Sequence, residues 1–156
     1  MRFALIDRIV TLELGSSITA VKSPSLTEEY LQDHFPSFPV MPGVLMLESM
    51  YQAAAWLLRV TDDFQFSVVL FREAKNVKYS GFVRPGEQLR VRADIVKREG
   101  QQTTVKGSAS IGELVVASAK LMLECKNLAD EAAAKAPIDE LIRQRYKREL
   151  LSLYHN

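Results

Sequence analysis

Residues 33–60 read DHFPSFPVMPGVLMLESMYQAAAWLLRV, and they decide the fold. Pro36, Pro39 and Pro42 stand within seven residues of one another. Each fixes its own φ and pushes the residue before it toward extended backbone, so His34–Pro42 is predicted to be a stiff, non-helical lead-in. A helix is expected to begin near Gly43. From Val44 to Leu58, apolar residues such as Leu45, Leu47, Met50, Ala54 and Trp56 cover every side of the helical wheel. That pattern belongs to a helix buried in a core or crossing a membrane. Fifteen residues rise only about 22 Å, short of a ~30 Å hydrocarbon core, and Glu48 interrupts the run. A buried core helix without a membrane span is the expectation.

Downstream the hydrophobic period changes from that of a helix to that of a strand. In residues 87–97, Leu89, Val91, Ala93 and Ile95 alternate with Arg90, Arg92 and Asp94. In residues 114–125, Val115, Ala117, Ala119, Leu121 and Leu123 alternate with Ser118, Lys120 and Glu124. The intervening QQTTVKGSAS reads as a third strand, with turns at Arg84-Pro85-Gly86, Gly100 and Gly112. Shorter strands are predicted at Ala4 to Leu14, Ile18 to Lys22, Ser67 to Phe71 and Asn76 to Phe82. These elements describe an α+β domain over residues 1–126, an antiparallel sheet around one buried helix. Residues 127–156 form an extension. Its stretch from Pro137 to Tyr154 has Ile138, Leu141, Ile142, Leu150 and Leu153 near one helical stripe, which suits packing on the domain or on a second subunit.

A chain of 156 residues, 47% hydrophobic and with 7 Gly and 6 Pro, is neither disordered nor low-complexity. The single Cys125 excludes an internal disulfide and a paired-cysteine metal site. The opening MRFALIDRIV carries Asp7 and Arg8 within its apolar run and no small-residue cleavage site, so no signal peptide is expected and the compartment is read as cytoplasmic. The net charge of +1 is unevenly spread: residues 1–71 hold 4 Lys/Arg against 8 Asp/Glu, and residues 72–106 hold 9 against 4. This local excess is too small for a general nucleic-acid binder. It suits docking of one acidic partner, or simply a solvated strand face.

Phosphate-loop, nucleophile-elbow and zinc-protease signatures are absent, and two histidines, one near the end of the chain, make a His-rich metal site untenable. One constellation remains. Glu48 on an apolar helix must be hydrogen-bonded, protonated or both. Gln52, one turn on, is placed to supply the bond. A carboxyl kept protonated in an apolar site suits a general acid. His34, just before the proline lead-in, stands close in sequence to the free amides at Gly43 and Val44, which suit a carbonyl oxygen gaining negative charge. Base, acid and oxyanion donor together fit proton abstraction beside a carbonyl. Taken singly, Glu48 also reads as a buried structural carboxyl satisfied by Gln52, and His34 as a structural histidine.

His34-Phe35-Pro36, then Pro39-Val40-Met41-Pro42-Gly43-Val44-Leu45, then Glu48 and Gln52-Ala53-Ala54, closely resemble the bacterial (3R)-hydroxyacyl-acyl-carrier-protein dehydratases of the FabZ type. Phe3–Val10 and Val83–Leu89 extend the resemblance to about 120 residues. Asp33 and Ser37 stand where that family usually has glycine, and Phe38 where a polar residue is common. The resemblance implies the hot-dog fold without a cofactor, and a homodimer, or a trimer of such dimers, in which His34 of one chain faces Glu48 of the other. It further implies that His34 takes the C2 proton of a 3-hydroxyacyl thioester, that Glu48 helps the C3 hydroxyl leave, and that the Gly43 amide holds the thioester carbonyl. Val40 corresponds to the carbonyl that orients the histidine, and Gln52 to the partner of the acid.

On this reading Phe35, Met46, Met50 and Phe71 are candidates for an acyl channel, although each fits a core position equally well. Lys75, Lys78, Arg84, Arg90 and Arg92 are candidates for docking acyl carrier protein, which is acidic. A hot-dog thioesterase and a non-catalytic acyl-carrier-binding scaffold are the alternative functions.

Overall fold

The computed structural model describes residues 3–155. Among them the elements run β1 (Arg8–Glu13), β2 (Ser17–Lys22), a one-turn α1 (Tyr30–Asp33), α2 (Gly43–Thr61), β3 (Val68–Tyr79), β4 (Leu89–Glu99), β5 (Gln102–Ile111) and β6 (Leu114–Lys126). Two 3-10 turns then lead into α3 (Ala136–Leu153). The strands form one antiparallel sheet in the order β1-β2-β4-β5-β6-β3, and α2 packs against every strand from β2 to β6. This is the hot-dog architecture: a sheet around a central helix.

The alternation read from the sequence sets which side chains meet α2. Leu89, Val91 and Ala93 of β4 are fully buried, while Arg90 and Arg92 face outward. In β5, Gly107 faces the helix because Met50 needs the space: a Cβ there would lie 2.9 Å from the Met50 sulfur. Two strand readings are corrected. The stretches Ser67–Phe71 and Asn76–Phe82 are not separate strands but parts of the single β3, which bends through register shifts after Phe71 and Lys75 and ends at Tyr79. Val115 does not face the core. A register shift pairs Ser110 with Val115 and Ala109 with Ala117, leaving Val116 as an extra residue that turns inward, 1% exposed, while Val115 is 49% exposed.

Helix α2 is covered unequally. The sheet buries Met46, Met50, Ala53 and Leu57, whereas Val44 is 64% exposed and Leu47, Glu48 and Tyr51 are only half-buried. The expectation of burial all round therefore holds for the second half of the helix and fails for the first. The second half is covered by the C-terminal extension, through part of the stripe the sequence suggested. Ile138 and Leu141 point to solvent; Tyr146, Leu150 and Leu153 make the contact, with Tyr146 edge-on to Trp56 at 5.5 Å.

One buried carboxylate anchors this extension. Asp139, 1% exposed, accepts hydrogen bonds from the Ser67 hydroxyl at the head of β3 and from the amides of Leu128 and Ala129, each at 2.9 Å. Burial alone would raise its pKa, but the three donors outweigh it and hold the group below the ordinary aspartate value. A depressed folded-state pKa contributes stability that is present above the unfolded value of about 3.9 and lost as pH falls through the folded one. We therefore expect docking of α3 to weaken in acid. Asp139→Asn should lower thermal stability at neutral pH and flatten this acid-dependent loss, as measured by unfolding followed across pH.

Candidate active site

The lead-in to α2 is pinned where the amide of Met41 donates to the Val83 carbonyl at 2.8 Å, and Val40 and Met41 are buried against the core. Pro42 is the last extended residue, and Gly43 opens the helix. The first-turn amides of an α-helix lack intrahelical acceptors and carry the positive end of its dipole, so Gly43 and Val44 present donors at this point. A Cβ on Gly43 would come within 3.0 Å of the Tyr79 ring. The glycine therefore does more than leave the amides accessible: it lets Tyr79, at the end of β3, lie against the helix start. No signal in residue order marks this neighbour, since β3 and α2 meet only through the fold. Burial raises the pKa of the Tyr79 phenol.

His34 follows α1 with φ −101° and ψ 103° and is half-buried. Its ring meets that of Phe35 edge-on at 4.5 Å. Phe35 takes φ 50°, a left-handed conformation that strains a bulky residue, in a turn closed by the Phe38 amide donating to the Phe35 carbonyl at 2.7 Å. Phe38 in turn packs on Phe82 and beneath the Arg84 guanidinium. The His34 ring makes no hydrogen bond to any described residue, so the carbonyl of Val40 is not its partner within the chain.

Glu48 is half-buried and accepts a hydrogen bond of 3.0 Å from the Gln52 side-chain amide. The same amide nitrogen donates to the Phe3 carbonyl, and the Gln52 oxygen accepts from the Leu5 amide, both at 2.9 Å. Gln52 thus ties the acid to the N-terminal segment, a role wider than the single bond its spacing predicted. Glu48 and Gln52 open onto a cleft of about 230 Å³ between α2, the N-terminal segment and α3. His34 does not line it. One chain brings acid and amide together and leaves the histidine on a separate loop.

The remaining candidates scatter. Met46 and Met50 are core residues, Phe35 is 59% exposed, and Phe71 lies half-exposed on β3 against Tyr51 at 5.7 Å. None of the four lines the cleft beside Glu48. Of the basic candidates, Lys75 pairs with Glu73 and Arg92 with Asp94, and Lys78 and Arg90 are exposed on their strands. Arg84 alone stands beside the His34 loop, through Phe38. Among the described residues no cluster of His, Cys, Asp or Glu is arranged to hold a metal ion, and no helix is long and apolar enough to cross a membrane.

The model of the FabA-like domain matches residues 1–120. The chain belongs to the FabA-like family. Curated relatives include the 3-hydroxyacyl-[acyl-carrier-protein] dehydratase FabZ of Levilactobacillus brevis, 43% identical over 115 residues that make up 74% of this chain and 78% of the relative. The FabZ of Thiobacillus denitrificans is 39% identical over 123 residues, 77% of this chain and 85% of its own. Among solved structures, the dehydratase heterocomplex ApeI:P of Xenorhabdus doucetiae superposes with a TM-score of 0.69 at 13% identity, covering 85% of this chain and 90% of that one. An acetyl-CoA-bound Streptococcus mutans protein gives 0.62 at 13% identity, covering 81% and 92%. At such identities these neighbours speak for the fold. The FabA-like match ends at residue 120, so α3 lies wholly outside it.

Gln52→Ala removes all three bonds of the amide at once. At about 0.5–1.5 kcal/mol net for each, the loss of stability should be about 1.5–4.5 kcal/mol. Hydrogen exchange at the Leu5 amide should accelerate while the sheet amides stay protected; unchanged exchange at Leu5 would contradict this role for Gln52.

Proposed function

We propose that this FabA-like protein dehydrates (3R)-3-hydroxyacyl groups carried on acyl carrier protein to trans-2-enoyl groups, as its FabZ relatives are named for doing. The observation that carries the reading is the Glu48 carboxyl held by Gln52 at an open cleft, on a helix whose first two amides, Gly43 and Val44, lack intrahelical acceptors. In this scheme His34 removes the C2 proton, and negative charge that develops on the thioester oxygen is met by the Gly43 amide. Electrons from C2 form the double bond, the C3–O bond breaks, and the proton of Glu48 leaves with the hydroxyl as water.

A second copy of the chain supplies the histidine. Three features support this. His34 is absent from the cleft that holds Glu48. Leu47, Tyr51 and the exposed Val44 leave the first half of α2 incompletely covered. The twelve-residue β3 is an edge strand whose second edge meets no described strand, and such edges invite pairing. The site of this proposal is therefore shared between protomers of a homodimer.

His34→Ala and Glu48→Gln should each lower the interconversion of 3-hydroxyacyl and trans-2-enoyl thioesters by about 10²–10⁴-fold while the fold survives. Mixing the two inactive variants should restore part of the activity through hybrid dimers. Near-wild-type turnover by either folded variant, or no recovery after verified subunit exchange, would overturn the assignments. Product analysis with the same substrates separates dehydration from thioester hydrolysis.

Arg84, exposed beside the His34 loop, is the basic side chain best placed to meet an acidic carrier. Arg84→Glu should slow turnover of carrier-bound substrate in a salt-dependent way and leave a pantetheine thioester nearly unaffected. Equal losses on both substrates would place Arg84 in the fold or the site and not in docking.

A further inference from the structure

Arg59 is an anomaly in the core. Its side chain lies three turns beyond Glu48 on α2 and is only 8% exposed, yet no acidic side chain lies within ion-pair distance among the described residues. The guanidinium donates no hydrogen bond to them, and its Nε is wholly buried without a partner. It lies 3.9 Å from the centre of the Tyr146 ring and 5.7 Å from that of Trp56. Ring faces attract a cation but do not satisfy its N–H donors. Burial disfavours the charge, and the nearby Tyr146, Tyr51, Cys125 and Glu149 offset part of that effect. An arginine does not shed its proton to escape such a site, so a buried guanidinium whose donors meet no acceptor among the described residues is an incomplete arrangement.

The unfilled side of that arrangement is the cleft. Arg59 lines it together with Trp56, Tyr146, the half-buried Glu149 and Arg145, the last a second cation, exposed on α3 at the same cleft. Eleven residues separate Glu48 from Arg59, about three helical turns, so both point from one side of α2 into the same space, with a rise of about 16 Å between them. Between the charged ends the walls include Ala55, and Leu153 closes from α3. A planar anion on an apolar stem fits this lining: the fork of Arg59 matches a carboxylate in two parallel hydrogen bonds, and the rings flank it.

We propose that the cleft beneath α3 is a carboxylate-binding site in which Arg59, framed by Trp56 and Tyr146 and assisted by Arg145, receives the anionic end of a ligand whose apolar stem runs along α2 toward Glu48. The carboxylate has two possible sources, a free aliphatic acid or the far end of a carboxyl-terminated acyl substrate. The second source rests on the dehydratase reading; the site itself does not.

Trp56 is the only tryptophan, so its fluorescence reports on this site whatever the catalytic activity. The full-length protein is titrated with octanoate and with 1-octanol at neutral pH. Octanoate should give a saturable change, with octanol binding at least about tenfold more weakly, and Arg59→Gln should reduce octanoate affinity by about ten- to a hundredfold and erase the preference. Arg145→Gln, a surface change, should weaken octanoate and leave octanol unaltered. Equal binding of acid and alcohol by the wild-type protein overturns the proposal without reference to any variant, as does full octanoate affinity in a folded Arg59→Gln protein. Turnover of 3-hydroxyacyl thioesters with methyl and carboxyl ends then separates the sources. A carboxyl preference that Arg59→Gln abolishes supports the substrate end, and octanoate binding without such a preference supports the free acid. If no thioester is turned over at all, the dehydratase reading fails while the titration still decides the site.

Discussion

A nineteen-residue helix with apolar side chains all round must be covered all round, and the other elements of this protein answer that demand. The sheet takes one side, with Gly107 left bare so that Met50 can reach the floor of β5. The segment before β1 takes a second, held by both ends of the Gln52 amide. Helix α3 takes a third over Trp56 and Arg59, and it is fastened by the carboxylate of Asp139 and not by a broad apolar stripe. The remaining side, around Val44, Leu47 and Glu48, is where the chain stays open.

The chemistry follows from the same demand. A carboxyl on an apolar helix needs a hydrogen-bonding partner and an aqueous or ligand-filled space, and Glu48 has both in Gln52 and the cleft. Arg59 shares that cleft but has no hydrogen-bonding partner among the described residues. The two charged side chains of α2 differ in this respect: one is satisfied at the open end, and the other is stranded beneath a helix that lies outside the FabA-like match.

Much of this was legible in residue order. The proline triplet marked the start of α2, and two-residue alternation marked β4 to β6, because these signals act over a few neighbouring residues. Glu48 stood out as a charge in an apolar run, and Gln52 as its partner one turn away. The failures came where a distant strand changed the local pattern. Val115 and Val116 exchange faces because β5 and β6 are out of step by one residue at Ala109. The stretch from Arg72 to Lys75 reads as a polar break, yet pairing with β6 draws it into β3. Met46 and Met50 could not be told from channel residues by sequence, since a helix apolar on every side does not say which side meets the sheet.

Residue order alone determined that this chain buries one helix in an antiparallel sheet and sets a histidine, a glycine at a helix start and a carboxyl within fifteen residues, because backbone stiffness and periodicity are local properties. Tertiary structure alone decided that Tyr79 lies against Gly43, that Gln52 grips Phe3 and Leu5, and that a helix from the end of the chain lies over Arg59. Those contacts join residues from 36 to 87 positions apart. No local rule reaches that far: such pairs meet only when the sheet has closed around the helix, and which side chain then finds a partner, and which is left without one, is set by that closure.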